Sequence, residues 1–300
     1  MEKKRLIIID SNALIHRAYH ALPPLTTKKG ELVNAVYGFF LVFLKVLKDF
    51  QPNYVVAVFD SPAPTFRHKE FKEYKAKRQK APEELYQQIP KVKEILERFN
   101  IPIFEKEGFE ADDIIGAISK QASRKQIFPE IETIIVTGDL DVLQLVDKNT
   151  KIYVLKRGVK DSVLYDQKEV EKKYQGLKPF QVPEVKGLQG DPSDNIPGVP
   201  GIGEKNAVKL IKQFGNLENL YQKIEKQYSF ASENINISPR LLTVLREYKE
   251  QAFLSRELAK IKLNVPIDFN LEKCHYGKYN KEKLVSILKR FEFFSLIKNL

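Results

Sequence analysis

The chain has 300 residues, 43% hydrophobic and 30% charged, a balance that can bury a sizeable core and excludes a disordered polymer. Against 39 Asp and Glu stand 50 Lys and Arg, so the formal charge of +11 favours polyanions: nucleic acid first, an acidic membrane surface second. One cysteine, Cys274, excludes an internal disulfide framework and a Cys-rich zinc site, and no apolar run approaches the roughly 18 residues that a membrane crossing needs.

No secretion signal precedes the first apolar run, "RLIIID" (5–10), so a reducing, cytoplasmic setting with no membrane partner is the expectation. That run reads as a buried parallel strand ending on Asp10. A helical pattern at 35–50 follows, then a second strand, "YVVAVFD" (54–60), ending on Asp60. "SPAPT" resists helix continuation and leads into "FRHKEFKEYKAKRQK" (66–80), where Lys and Arg far outnumber Glu and aromatic residues are interleaved. Such a run is often only a solvated face. Beside a sheet-edge carboxylate, it suits phosphate neutralisation, with Phe71 and Tyr74 placed to stack on unpaired bases.

Helices at 83–99 and 112–125 flank "GFEADDIIGA" (108–117), which crowds Glu110, Asp112 and Asp113 before an apolar run. A third strand, "TIIVTGD" (133–139), ends on Asp139, with Asp141 two residues later. Strands and helices in alternation argue for an α/β sheet with right-handed crossovers. In an open parallel sheet, ligands bind beyond the carboxyl ends of the strands, so Asp10, Asp60 and Asp139 are expected to share one edge.

Beyond residue 165 the texture becomes rich in Gly and Pro, in "GLQGDPSDNIPGVPGIGEKNAVKLIKQFG" (187–215), and helical patterns continue to about 262. "NVPIDF" (264–269) reads as a strand and 281–300 as a closing helix. "GVPGIGEKNA" (198–207) has nearly P-loop spacing, but Glu204 stands in the lysine position and no strand leads into it. A glycine hairpin between two helices fits better. Bare backbone at Gly198, Gly201 and Gly203 suits a close phosphate, and Lys205, Lys209 and Lys212 add charge.

The acids Asp10, Asp60, Glu110, Asp112, Asp113, Asp139, Asp141, Asp191 and Asp194 form the candidate set. Singly, each is an ordinary helix cap or turn residue. Gathered at one edge they would repel strongly unless cations lay among them. Mg2+ and Mn2+ take oxygen ligands, and two such ions about 4 Å apart clamp both oxygens of an in-line phosphoryl displacement. Four histidines without helical zinc spacing agree with that hard-ion chemistry.

From "LIIIDSNALIHRAYHAL" through "FRHKEFKEYKAKR", "EADD", "TGDLDVLQLV" and "GDPSDNIPGVPGIGEKNA" to "FEFFSLI", nearly the whole chain resembles the 5′-nuclease family, which includes the amino-terminal exonuclease domain of bacterial DNA polymerase I and the flap endonucleases. The resemblance implies an α/β, PIN-like (resolvase-like), mostly parallel sheet flanked by helices over 1–168, with a helical arch at 63–100. A helical helix-three-turn-helix domain over 169–262 and a tail at 263–300 returning to the catalytic part complete it.

Two Mg2+ or Mn2+ ions are implied, one at Asp10, Asp60, Glu110, Asp112 and Asp113, the other at Asp139, Asp141, Asp191 and Asp194. Lys75 and Arg78 match arch residues that reach the scissile phosphate. Arg67, Lys72, Tyr74, Lys75, Arg78, Gly198, Gly201, Gly203, Lys205 and Lys209 are the expected DNA contacts, with K+ at the hairpin. "NA" at 206–207 replaces the family's commoner Thr-Ala and removes a hydroxyl.

The expected activity is a monomeric 5′-3′ exonuclease and flap endonuclease. Its substrate is DNA with a 5′ flap or free 5′ end, RNA-primed ends included, in replication and repair beside a polymerase and a ligase. A PIN-type ribonuclease and a non-catalytic, structure-reading DNA-binding protein remain as alternatives.

Overall fold

A computed structural model describes residues 3–123, 131–156, 161–226, 237–298 and 300. Six strands form one sheet: β1 (Lys4–Asp10), β2 (Tyr54–Val58), β3 (Ile103–Phe104), β4 (Ile131–Thr137), β5 (Thr150–Leu155) and β6 (Ser162–Tyr165). Their order is β3-β2-β1-β4-β5-β6, parallel throughout except for the antiparallel β5–β6 pair. Strand progression reverses between β1 and β4, so the crevice favoured for ligands in such sheets opens beyond Asp10 and the end of β4.

Both faces of the sheet are covered, which is why the strands read as nearly continuous apolar runs. Successive side chains of β1 alternate. Leu6 and Ile8 pack with Ile114, Ile115 and Ile118 of the helix Ala111–Ala122. This core continues into the later helices through Val185, Leu188, Ile211 and Leu220. Ile7 and Ile9 face Phe39, Phe40 and Phe43 of the helix Asn34–Phe50, together with Val92 and Ile95 of the helix Ile89–Arg98. Leu284, Ile287 and Leu288 of the helix Lys281–Arg290 join that second core, returning the C-terminal tail to the sheet.

Several expected elements differ. The stretch 264–269 is irregular rather than a strand; Pro266 has no N–H for a ladder, and Ile267 donates locally to the carbonyl of Val265. The pattern at 83–99 divides into Glu83–Tyr86 and Ile89–Arg98, the second carrying Pro90 in its first turn. Because Ile89–Arg98 is built into the core, the only part of 63–100 free to stand over the strand ends is its first half: a short helix, Phe66–Glu70, and the turns after it. Residues 124–125 of the expected helix at 112–125 lie outside the described residues. The closing helix at 281–300 breaks after Arg290, with Glu292 at φ 61°.

Candidate active site

Asp10 ends β1 and caps the next helix, Ser11–Ala21, its Oδ1 accepting from the N–H of Ala13 at 3.1 Å. Its Oδ2 accepts from the Thr137 hydroxyl at 2.6 Å. Thr137 in turn accepts from the N–H of Asp139 at 3.0 Å, and Asp139 Oδ1 from the N–H of Asp141 at 2.9 Å. One hydrogen-bonded relay thus fixes three acids where β1 and β4 end. Burial pushes the Asp10 carboxyl up to about 7 despite the Thr137 hydrogen bond, with Asp60 and Asp139 repelling its charge.

Asp60, two residues past β2, faces open space while its Oδ1 accepts from the N–H of Ala111 at 2.8 Å. The start of the helix Ala111–Ala122 therefore lies against the strand ends. Asp112 is half-buried there, and no group among the described residues donates a hydrogen bond to its carboxylate. Burial, then the charges of Asp139, Asp10, Glu110 and Asp60, raise this carboxyl well above its ordinary range. It is the hub of the cluster.

Glu110 is held instead by cations and hydroxyls: Lys75 Nζ donates to Oε1 at 2.8 Å and the Tyr74 hydroxyl to Oε2 at 3.1 Å. Burial opposes its charge, but Lys75 and Arg67 outweigh burial and lower the carboxyl.

Asp113 does not join the open cluster. It is fully buried, with Arg67 Nη1 donating to Oδ2 at 2.7 Å and Nη2 to Oδ1 at 2.9 Å. The N–H groups of Glu110 and Lys262 donate to the same two oxygens. With both oxygens engaged internally, the expected ligand role is not open to it. Arg67 is likewise buried and also donates to the carbonyls of Leu258 and Lys260, so the expected DNA contact fails at this residue. Tyr74 is 3% exposed, its hydroxyl donating to Glu110 and Asp194, and cannot stack on a base. Lys72 and Arg78 are exposed as expected.

Lys75 sits at φ 55° and donates its N–H to the carbonyl of Asp194, while Asn195 Nδ2 donates to the carbonyl of Glu73 at 2.7 Å. These bonds dock the basic segment on the loop that carries Asp191 and Asp194. Burial disfavours the Lys75 ammonium, yet Glu110 and Asp194 raise it above its ordinary value.

On the other side of Asp139, Lys186 Nζ lies 2.8 Å from Asp141 Oδ1 and 2.5 Å from Asp191 Oδ2. Asp191 Oδ1 accepts from the N–H and hydroxyl of Ser193. Burial works to raise the Asp191 carboxyl, but the bonds from Lys186 and Ser193 hold it below its ordinary range. Asp141 has the same lysine, yet burial and Asp139 push it up to about 7.

Two adjoining cavities of 650 and 730 Å3 meet at Ala13, His16, Arg78 and Asp139. Asp10, Asp60, Glu110 and Asp112 line the first, and Asp141, Lys186 and Asp191 the second. Among the described residues no three acids, histidines or cysteines close into a ready-made metal cage. The donors nonetheless suit hard divalent ions: they are all carboxylate oxygens, and Asp112 is a hub to which no described residue donates, its charge disfavoured by burial and by its acidic neighbours.

His16, Arg17, Thr137 and Lys186 escaped the sequence reading. Arg17 donates to the carbonyls of Lys156 and Gly138, steadying the turn that carries Asp139. A signal existed: counted from the cap at Asp10, positions 13, 16, 17 and 20 share one helix face and line the second cavity.

The glycine segment joins the helices Val182–Gln189 and Glu204–Phe214. Gly198, at φ 62°, lies so close to Gly190 that a Cβ would meet the latter's nitrogen at 2.2 Å. Gly201 and Gly203 face open space, and Lys205 and Lys209 are exposed on the helix that follows.

The sequence matches the family model for the 5′-3′ exonuclease N-terminal resolvase-like domain over residues 5–175, and that for the 5′-3′ exonuclease C-terminal SAM fold over 177–282. A 5′-3′ exonuclease of Aquifex aeolicus is 36% identical over 98% of this chain and 94% of its own length. DNA polymerase I of Bacillus subtilis is 40% identical over 100% of this chain, which spans only 32% of that relative. A T5 5′-exonuclease structure with divalent metal ions (zinc) bound superposes with a TM-score of 0.69 at 19% identity, covering 98% of this chain and 99% of that one. The catalytic core of Rad2 in complex with a DNA substrate gives 0.63 at 21% identity, covering 98% and 89%. At these identities, the structures speak for the fold.

Proposed function

Since the chain belongs to the 5′-3′ exonuclease family, we propose that it is a structure-specific nuclease that hydrolyses DNA phosphodiester bonds at a 5′ flap or free 5′ end, in replication and repair. The observation that carries this reading is Asp112, crowded by Asp10, Asp60, Glu110 and Asp139 at the sheet's switch point and given no hydrogen-bond donor by any described residue.

In this reading Asp10, Asp60, Glu110 and Asp112 hold one divalent ion, Mg2+ or Mn2+, and Asp139, Asp141, Asp191 and Asp194 a second. Bound there, such ions lower the pKa of an attacking water and stabilise the entering and leaving oxygens. Asp113 is reassigned as an internal anchor: with Arg67 it ties the start of the helix Ala111–Ala122 to the basic segment, setting the positions of Glu110 and Asp112.

Thr137 orients Asp10, and the Tyr74 hydroxyl orients Glu110 and Asp194. Arg78, exposed where the two cavities meet, and Lys75 offset charge that builds on the phosphate. Lys72 lies on the same segment, exposed toward an entering strand. The open backbone at Gly201 and Gly203, with Lys205 and Lys209, grips duplex phosphates, giving little sequence preference and steep salt dependence. A K+ ion at that hairpin belongs to the same reading. We take the catalytic part as 1–168, the helical duplex-binding part as 169–262 and the returning tail as 263–300.

The test is release of labelled product from matched DNA and RNA 5′ flaps, with Mn2+ and with a chelator. Metal-dependent cutting of the DNA flap supports the proposal. Cutting of RNA alone selects a PIN-type ribonuclease, and binding without cutting selects a structure-reading protein.

A further inference from the structure

Lys186 lies between the acids assigned to the second ion, yet no role described so far uses it. It projects from the helix Val182–Gln189, five residues before Asp191, and its side chain is 15% exposed. Its Nζ is 2.8 Å from Asp141 Oδ1 and 2.5 Å from Asp191 Oδ2. These acids come from different parts of the fold: Asp141 follows β4, and Asp191 opens the glycine segment. Without a cation between them, two like charges, Asp141 half-buried and Asp191 buried, would face each other.

We infer that Lys186 is a built-in substitute for the second divalent ion, and that loading this ion is an exchange in which the ammonium leaves Asp141 and Asp191. Resting on the metal reading above, the inference deepens it. A small divalent ion binds carboxylate oxygens at about 2.0–2.6 Å, so an ammonium already in contact with an oxygen of each acid crowds and repels it there. The ammonium keeps the acids gathered and the metal-free fold free of their repulsion, at the cost of weakening the second ion's binding. At the first site an ammonium, that of Lys75, is bound to Glu110 alone, and no cation among the described residues donates to Asp10, Asp60 or Asp112. The inference therefore predicts unequal sites: the Asp112 side fills first and the Lys186 side second.

The experiment is calorimetric titration of the full chain with Mn2+ at pH 8, above the value of about 7 to which Asp141 is pushed. Wild type is compared with K186M, K186R and D141N. Wild type should bind two ions with unequal affinity. K186M should tighten the weaker site on the order of tenfold, the equivalent of removing about 1.4 kcal/mol of competition. K186R, which keeps the positive charge, should stay near wild type, and D141N should lose the weaker site alone.

A weaker site that is unchanged or further weakened in K186M overturns the inference, because a lysine that merely orients the acids would help the ion rather than compete with it. No Mn2+ binding to folded wild type would overturn the metal reading itself. Thermal unfolding gives a second readout: metal-free K186M should be less stable than wild type and gain more from Mn2+. If K186M does not fold without metal, K186Q, which keeps a hydrogen-bond donor but no charge, takes its place in the titration with the same expected tightening.

Discussion

Arg67 and Asp113 meet as a parallel fork, Nη1 to Oδ2 at 2.7 Å and Nη2 to Oδ1 at 2.9 Å, with both side chains removed from solvent. Breaking one side of such a pair strands a buried charge. D113N or R67M should therefore destabilise the fold by roughly 3–5 kcal/mol in denaturant unfolding. D112N should do the opposite in the metal-free protein. It replaces a carboxyl whose charge burial and neighbouring acids disfavour, leaving stability unchanged or improved while abolishing cleavage. Equal destabilisation by the two Asp→Asn changes would refute the distinction drawn between these neighbours.

The raised acids make stability depend on pH and metal together. Asp10 rises from its ordinary 3.8 to about 7 on folding, so between these values the folded chain holds a proton that the unfolded chain has lost. The stability this contributes is complete below about pH 4 and is lost as pH rises through 7, on the order of 2–4 kcal/mol. Asp141 acts in the same window, whereas Glu110 and Asp191, both lowered, lose their contribution only in more acidic solution. The melting temperature of the metal-free chain should fall between pH 5 and pH 8. Added Mn2+ should flatten or reverse that fall, with protons released on binding. A metal-free melting temperature that rises over this range would count against the cluster.

Lys75 reaches Glu110 from a residue held at φ 55° by its bond to the carbonyl of Asp194, a placement suited to chemistry more than to affinity. K75A should lower single-turnover cleavage on the order of a hundredfold while changing the DNA dissociation constant about threefold or less. A loss confined to affinity would place Lys75 among the phosphate grips instead.

At the glycine segment, backbone and charge separate. G198A forces a Cβ against Gly190 and should lower both stability and duplex binding. K205A and K209A, at exposed positions, should leave stability within about 0.5 kcal/mol. Each should reduce the slope of log affinity against log salt by about one, without altering sequence preference. An unchanged slope would remove these lysines from the interface.

Much of this was legible in the sequence because it rests on short-range patterns. The apolar runs at 5–10, 54–60 and 133–139 mark three buried parallel strands. The acids at or just beyond their ends reach one edge because parallel strands present their carboxyl ends together. The remaining strands were hidden by length or composition: β3 has two residues, β6 is a short edge strand, and β5 interrupts its apolar pattern with Lys151.

Within "EADD", spacing cannot tell Asp112 from Asp113. Adjacent helical residues point about 100° apart, and only the packed fold shows that one faces the cleft while the other meets Arg67. Arg67 and Tyr74 were misread for a related reason: a basic, aromatic run has the same composition whether its side chains face DNA or anchor the segment from beneath. Lys186 stayed invisible because its partners, Asp141 and Asp191, meet only in the fold.

The central claim is that carboxylates from separate strand ends form a pocket for divalent ions. The most direct measurement is anomalous diffraction at the manganese edge from crystals of the metal-soaked chain. Two peaks are predicted, one among Asp10, Asp60 and Asp112 and one among Asp139, Asp141 and Asp191, with Lys186 withdrawn. A cleft without anomalous signal, its acids still bound to Lys75 and Lys186, would contradict the account.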